Sequence, residues 1–391
     1  MSRPAFVCGA PDPFTYNPVP MAKITKKASS RSILNNDSFA FFKSYINNAS
    51  PVGFETWGQK LWLDYLKPYV DAQFVDPYGT AVGVINPTHP FKVVIEAHAD
   101  EISWFVNYIT ADGLLYLKRN GGVDHQTAPA SRVIIHGKKG PVKAVFGWPA
   151  IHTRLGAPEQ KEPSPRTDNL WLDCGARSKK EVQQLGIHIG AVVTYQDGFD
   201  ELANGNYIGR AFDNRIGGFM IAEVARLLKQ NKKKLPYGLY VVNAVQEEIG
   251  LRGAEMIARR IKPNIAVVTD VTHDTTTPLI NKNIEGDVAT GKGPSLSYAP
   301  AVHNKLLGIV EKIAEQKKIP IQWRALSRST GTDTDSFAYS NDGCPSVLIS
   351  IPLRYMHTTV EMLHRDDIEN TIRLMYETLL QLSPKTNLNY L

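Results

Sequence analysis

Apolar residues recur at helical spacing in residues 38–48 (SFAFFKSYINN) and 54–70 (FETWGQKLWLDYLKPYV), and the break NASPVG between them predicts two helices joined by a turn. The aromatic positions of the second stretch fall at core spacing. Residues 91–97 (FKVVIEA) form a short β-branched run followed at once by polar residues, which is the pattern of a buried strand with a functional C-terminal end. His98 comes directly after it. Between about 103 and 205 the texture changes to short β-like runs (SWFVNYI, LLYLK, SRVIIHG, VKAVFGW, AVVTYQD) divided by Gly, Pro and Asp, with one helical stretch near SKKEVQQLG. A small β-rich insertion over 104–204 is expected there. An α/β rhythm then returns, with a helix over 214–229, a strand LYVVNAV, a helix LRGAEMIARRI, a strand IAVVTDV, a helix over 303–318 and a strand PSVLISI. Such alternation predicts an α/β fold, a mixed and mostly parallel sheet covered by helices on both faces. The interrupted body is expected over 34–103 and 205–391.

Residues 1–33, rich in Pro, Ser, Asn and Lys, show no sustained period and read as a poorly ordered leader, with Met21 an alternative start. Neither an apolar h-region nor eighteen consecutive apolar residues occur, so no secretory signal and no membrane partner are expected. The formal charge of +6 is concentrated partly in that leader, at Lys23, Lys26, Lys27 and Arg31, and partly in the run 232–234. No aromatic residues interleave with these charges, so no nucleic-acid partner is expected either. Three scattered cysteines, Cys8, Cys174 and Cys344, have no CxxC spacing and make neither a disulfide framework nor a thiolate zinc site. A cytoplasmic protein is the expectation.

The acidic and imidazole residues cluster where strands are expected to end. His98 and Asp100 follow FKVVIEA, Asp213 begins a helix, Glu247 and Glu248 follow LYVVNAVQ, Asp270 closes IAVVTD, and His357 follows LISIPLRYM. The carboxyl ends of strands in an open α/β sheet line one crevice, so these positions can meet. Taken singly each has a plain structural reading, as a helix cap, a turn former or surface charge. Taken together, imidazole and carboxylate without thiolate suit Zn²⁺, Co²⁺ or Mn²⁺, and a two-metal hydrolase also needs one carboxylate that stays unligated to move a proton. Adjacent glutamates offer that division of labour.

The segments EAHADEIS (96–103), GRAFDNRIGG (209–218), VQEEIGLRGA (245–254), TDVTH (269–273), GTD (331–333) and IPLRYMHTTVEM (351–362) resemble, in order and spacing, the M42 family of metallo-aminopeptidases, which includes glutamyl and tetrahedral aminopeptidases. The resemblance runs over about 38–370 and includes VIIHGKKGPV and LDCGARSKKEVQQLGIHIG. It implies that His98, Asp213 and Asp270 hold one metal and Asp213, Glu248 and His357 the other, with Asp213 as the bridge. It further implies Glu247 as general base and then acid, Asp100 as the residue orienting His98, and the inserted β-rich segment as a dimerisation domain. The activity implied is removal of N-terminal residues from short peptides by attack of a metal-bridging hydroxide, with two divalent ions per subunit, Zn or Co before Mn. The substrate's α-amino group would ligate one of them. Self-association to a dimer or a dodecamer belongs to the same expectation.

Two departures from the family pattern, Val123 and Ala191, fall in the insertion and bear on assembly more than on chemistry. Thr330 and Thr334 flank the Gly-Thr-Asp turn, which is expected to edge the substrate pocket. Asp274, Asp333, Asp335 and Arg354 read as turn and capping residues before they read as substrate contacts, and the remaining histidines, His273 among them, as structural or exposed. No substrate-binding residue is assigned, nor a preferred N-terminal residue. The runner-up function is a two-metal amide hydrolase of related fold, a deacylase or carboxypeptidase. An endoglucanase-type glycoside hydrolase ranks lower, since two flanking carboxyl groups without metals leave His98 and His357 unexplained.

Overall fold

The structure is a computed structural model that describes residues 32–154 and 164–391, so Met21 and the expected leader up to residue 31 lie outside the described residues. Two helices, α1 (Asn36–Asn47) and α2 (Thr56–Leu66), precede β1 (Ala72–Val75), β2 (Ala81–Ile85) and β3 (Lys92–His98). The chain continues through β4 (Ser103–Ile109), β5 (Leu115–Asn120), β6 (Arg132–Gly137), β7 (Gly140–Gly147), α3 (Ile151–Arg154), β8 (Trp171–Asp173), α4 (Lys179–Gln184) and β9 (Val192–Tyr195). After β10 (Asp200–Glu201) and β11 (Asn206–Gly209) come α5 (Phe212–Gln230), β12 (Gly238–Ala244), α6 (Arg252–Ile261) and β13 (Ile265–His273). The last third holds α7 (Lys282–Glu285), β14 (Ser295–Tyr298), α8 (Asn304–Lys317), β15 (Gln322–Ala325), α9 (Asp333–Ala338), β16 (Ser346–Leu353), β17 (Glu361–His364) and α10 (Arg365–Gln381).

Eight strands form one sheet in the order β1-β2-β12-β3-β13-β16-β14-β15. The middle block, β12-β3-β13-β16, is parallel throughout. Around it the sheet is mixed, because β2 runs antiparallel to β12 and β14 antiparallel to β16. The block is made of near-continuous apolar runs because both of its faces are covered. Alternation along β3 shows this directly: Ala97 faces α5, while its neighbour Glu96 faces away toward Asp333 of α9. Helix α5 is buried on all sides over its first fifteen residues, as expected for a helix wrapped by others. It packs on β3 and is covered by α1, α2 and α10.

Specific hydrogen bonds fix the first two helices. Asn35 caps α1 by accepting a hydrogen bond from Ser38 N at 2.8 Å. Trp62 in α2 is fully buried and donates from Nε1 to Gly218 O at 2.8 Å. The core spacing read for this stretch fails at its start: Phe54 and Trp57 are 43% and 44% exposed, because they face β4 and β6 at the barrel surface and not the sheet.

Strands β4-β5-β8-β7-β6-β9 close into a barrel of antiparallel pairs, which leaves no open sheet edge. Its interior is a separate apolar cluster including Trp104, Leu117, Ile135, Phe146 and Val193. Among the described residues no helix is long and apolar enough to cross a membrane.

Candidate metal centre

The sheet order places the C-terminal ends of β12, β3, β13 and β16 side by side, which is where ligands enter open α/β sheets. His98 ends β3, Asp270 lies within β13, Glu247 and Glu248 follow β12, and His357 follows β16. Asp213 is in the first turn of α5, and the helix can approach β3 only because residue 217 is glycine: a Cβ there would stand 2.8 Å from the Ala97 Cβ. The Asp213–Asn214 peptide is cis.

Asp213 lies between the two imidazoles. Its Oδ1 is 3.2 Å from His98 Nε2 and its Oδ2 3.2 Å from His357 Nε2. His98 Nε2 is also 3.8 Å from Asp270 Oδ1 and 3.7 Å from Glu247 Oε2, while His357 Nε2 is 3.2 Å from Glu248 Oε1. Among the described residues, three groups of side chains bring one potential ligand atom each to within 4.8 Å of the others: His98 with Asp213 and Asp270, Asp213 with Glu248 and His357, and His98 with Glu247 and Glu248. The first two share Asp213. Oxygen and imidazole donors without thiolate fit Zn²⁺, Co²⁺ or Mn²⁺.

The surroundings orient these donors. His98 Nδ1 is 3.3 Å from the Asp100 carbonyl oxygen and 3.5 Å from its Oδ1, so that nitrogen holds the proton and Nε2 is free to ligate. The Asp100 carboxylate does more than support His98: it accepts hydrogen bonds from the backbone N–H of both Glu247 and Glu248, at 3.0 and 3.1 Å. Glu361, which the sequence did not single out, accepts from Asp213 N and from His357 N, both at 3.0 Å, and so ties two candidate ligands from different elements together. His357 Nδ1 stands 3.0 Å from Gly122 O, and a Cβ on Gly122 would lie 2.8 Å from the imidazole. The loop after β5, in the segment that the sequence reading associated with assembly, therefore shapes the site.

The electrostatics are those of a buried anionic cluster. Burial leads in pushing Glu247 up to about 11, with Asp270, Asp333 and Glu248 adding to it against His98. Burial likewise raises Asp270 to about 7 and Glu361 to about 8. Against burial, hydrogen bonds to Asp213 and Glu248 push His357 up to about 12, and, again against burial, the His357 and His98 imidazoles hold the Asp213 carboxyl well below the usual range. Four carboxylates around two imidazoles leave an excess of buried negative charge, and divalent cations satisfy such an excess.

Beside these residues opens a cavity of about 260 Å³ whose wall includes Val271, Thr272, His273, Arg324, Thr330 and Met356. The loop with the Gly-Thr-Asp turn edges it as expected, through Thr330, Gly331 and Thr332, while Thr334 is wholly buried. His273 lines the cavity, whereas its position at the end of β13 gave no sign of that. Three of the charged residues near the site are occupied within the fold: Arg354 Nε donates to Asp274 Oδ2 at 2.9 Å, and Asp335 accepts from the backbone of Thr330 and Gly331.

Residues 79–374 match the model of a family described as M42 glutamyl aminopeptidase. A lysyl aminopeptidase of Pyrococcus furiosus is 32% identical over 345 residues, covering 88% of this chain and 96% of that protein. The crystal structure of a TET aminopeptidase from a marine-sediment Thaumarchaeota archaeon superposes with a TM-score of 0.84 at 30% identity, over 89% of this chain and 97% of the other. A TET1 peptidase of Pyrococcus horikoshii, described as assembling into a tetrahedron or a large octahedral shell, gives 0.77 at 25% identity, over 88% of this chain and the full length of that one.

Proposed function

The chain belongs to the M42 family of aminopeptidases, which are peptide hydrolases, and from that premise we propose that it removes N-terminal residues from short peptides using two divalent cations per subunit. His98, Asp213 and Asp270 would hold one ion and Asp213, Glu248 and His357 the other. The observation that carries this reading is Asp213, whose two oxygens point at two imidazoles on opposite sides. Bound there, the ions would polarise the scissile carbonyl and make a water acidic enough to attack it at neutral pH.

The chain's own part in the chemistry is proton transfer and positioning. Glu247 has no place in either ligand set that shares Asp213, yet its Oε2 stands beside His98, so once the charge of bound cations offsets the burial that raises its carboxyl, it is the carboxylate left to accept the proton of the attacking water. The same group then returns the proton to the departing amine. Asp100 fixes the Glu247–Glu248 backbone through both N–H groups, so one side chain can ligate while its neighbour keeps its proton-transfer geometry. Glycoside hydrolysis, which uses two carboxyl groups alone, gives no role to His98 or His357.

We also propose that the barrel is the surface for self-association to a dimer or a dodecamer. Its outside exposes Tyr108, Val145, Leu185 and Ile189, and the Pyrococcus horikoshii relative forms large shells. Cytoplasmic residence is part of the same reading: Cys174 and Cys344 are free thiols, which suits a reducing compartment.

The test is hydrolysis of aminoacyl p-nitroanilides, their N-acetylated counterparts and carboxymethylcellulose, each before and after chelation. Only the free-amine anilides are expected to be cleaved, with activity lost on chelation and restored by Zn²⁺ or Co²⁺. Cleavage of the cellulose derivative, preference for the acetylated anilides, or indifference to chelator would remove this assignment.

A further inference from the structure

The four residues that belong to only one of the two ligand groups sharing Asp213 are held in different ways. His98 meets Asp100, two positions on in its own segment, and Asp270 accepts from the backbone N–H of its neighbour Val271. Both are buried. Glu248 and His357 instead face the loop between β5 and β6, which belongs to the barrel. The imidazole of His357 is 32% exposed against 1% for His98, so packing alone does not fix its orientation. Its backbone also needs support, since φ is 62°, a left-handed conformation that a non-glycine residue keeps only where its surroundings hold it.

The loop supports both the ring and the main chain. Gly122 O stands 3.0 Å from His357 Nδ1, and a carbonyl oxygen only accepts, so that nitrogen carries the proton and Nε2 is left to ligate. Asp124 N donates to His357 O at 3.4 Å. The three atoms nearest to a Cβ built on Gly122 are His357 Nδ1 at 2.8 Å, His357 Cε1 at 2.9 Å and Glu248 Oε2 at 3.8 Å, all from one ligand group. On Gly121 a Cβ would stand 3.2 Å from Glu248 Cβ. The loop is anchored in turn by Val123 and Ala128, which are buried in the apolar cluster inside the barrel. The carbonyl that orients His357 is thus bonded directly to a residue of the barrel's core.

We propose that Gly122 is a positioning residue of the metal centre, acting through His357, and that the cation held by Glu248 and His357 depends on the barrel while the one held by His98 and Asp270 does not. The carbonyl sets the tautomer and tilt of the imidazole, and the absent side chain leaves the ring its place. The backbone of Gly122 is open to alanine, because its φ lies outside the left-handed region. A methyl group there is accommodated by turning the imidazole, the movable end of a side chain. That turn takes Nε2 away from Asp213 and Glu248, each now 3.2 Å from it. This inference rests on the two-cation reading given above.

The experiment titrates the full chain, stripped by chelation, with Co²⁺, followed by visible absorption and calorimetry, in the wild type, Gly122→Ala, His357→Ala and the double variant. The wild type is expected to bind in two steps. Gly122→Ala should weaken one of them by about 10–100-fold, the usual cost of losing a group that orients a metal ligand, and leave the other step and the Tm of the metal-free protein unchanged. In the His357→Ala background the same substitution should have no further effect, because its action runs through that ring. Unchanged binding in Gly122→Ala, equal weakening of both steps, or an undiminished effect without His357 overturns the inference and leaves the two-cation reading standing. Fewer than two ions bound by the wild type overturns both. Hydrogen exchange at residues 121–126 reads the coupling even where Gly122→Ala does not fold: saturation with Co²⁺ should slow it in the wild type but not in His357→Ala. Exchange indifferent to the ion in the wild type, or slowed equally in His357→Ala, overturns the inference.

Discussion

Replacing Glu247 with glutamine is expected to lower kcat by about 10²–10⁴-fold, the range over which a positioned general base contributes, while metal content stays at the wild-type level. The carboxamide keeps the size and one acceptor oxygen of the original group but cannot take a proton. Its backbone position is set by Asp100 through the N–H of residues 247 and 248, and that anchor does not depend on the side chain at 247. Steady-state kinetics on a cleaved anilide, with metal measured in the same sample, separates the two properties. A variant with full activity would show that another group moves the proton. Loss of metal along with activity would instead place Glu247 among the ligands, as the third ligand group, with His98 and Glu248, allows.

Asp213→Ala is expected to have the opposite signature, with metal lost first and activity lost because of it. Asp213 belongs to both ligand groups that define the proposed pair, so its removal weakens both sites at once. Removal of a residue that merely supports a metal ligand costs about 10–100-fold in affinity or activity, and loss of a shared ligand should exceed that. Elemental analysis after dialysis against metal-free buffer is the direct readout. Retention of the wild-type metal content in Asp213→Ala would mean that the bridge lies elsewhere.

How far the sequence foretells this site depends on the range of the contacts that build it. Strands β3, β12, β13 and β16 are legible because burial on both faces turns each into an apolar run, and the candidate ligands near their ends are legible with them. The runs SWFVNYI and SRVIIHG likewise coincide with β4 and β6. Glu361 and Gly122 are different. Gly122 meets His357 across 235 positions, and Glu361 acts on two backbone N–H groups whose approach no local period encodes. Arg324 escapes notice for another reason: β14 and β15 have four residues each, too short to show a pattern, so nothing marks QWRA as part of a pocket wall. Phe54 and Trp57 mislead because helical spacing reports a face, and not which neighbour covers it.

The central claim is that two cations share Asp213, and the measurement closest to it is anomalous scattering from crystals of the protein soaked with Zn²⁺ or Co²⁺. The account predicts two peaks about 3.5–4 Å apart, one against His98 and Asp270, the other against Glu248 and His357, with Asp213 between them and Glu247 bound to neither. A single peak, no peak, or a pair of ions that leaves Asp213 unshared would contradict it.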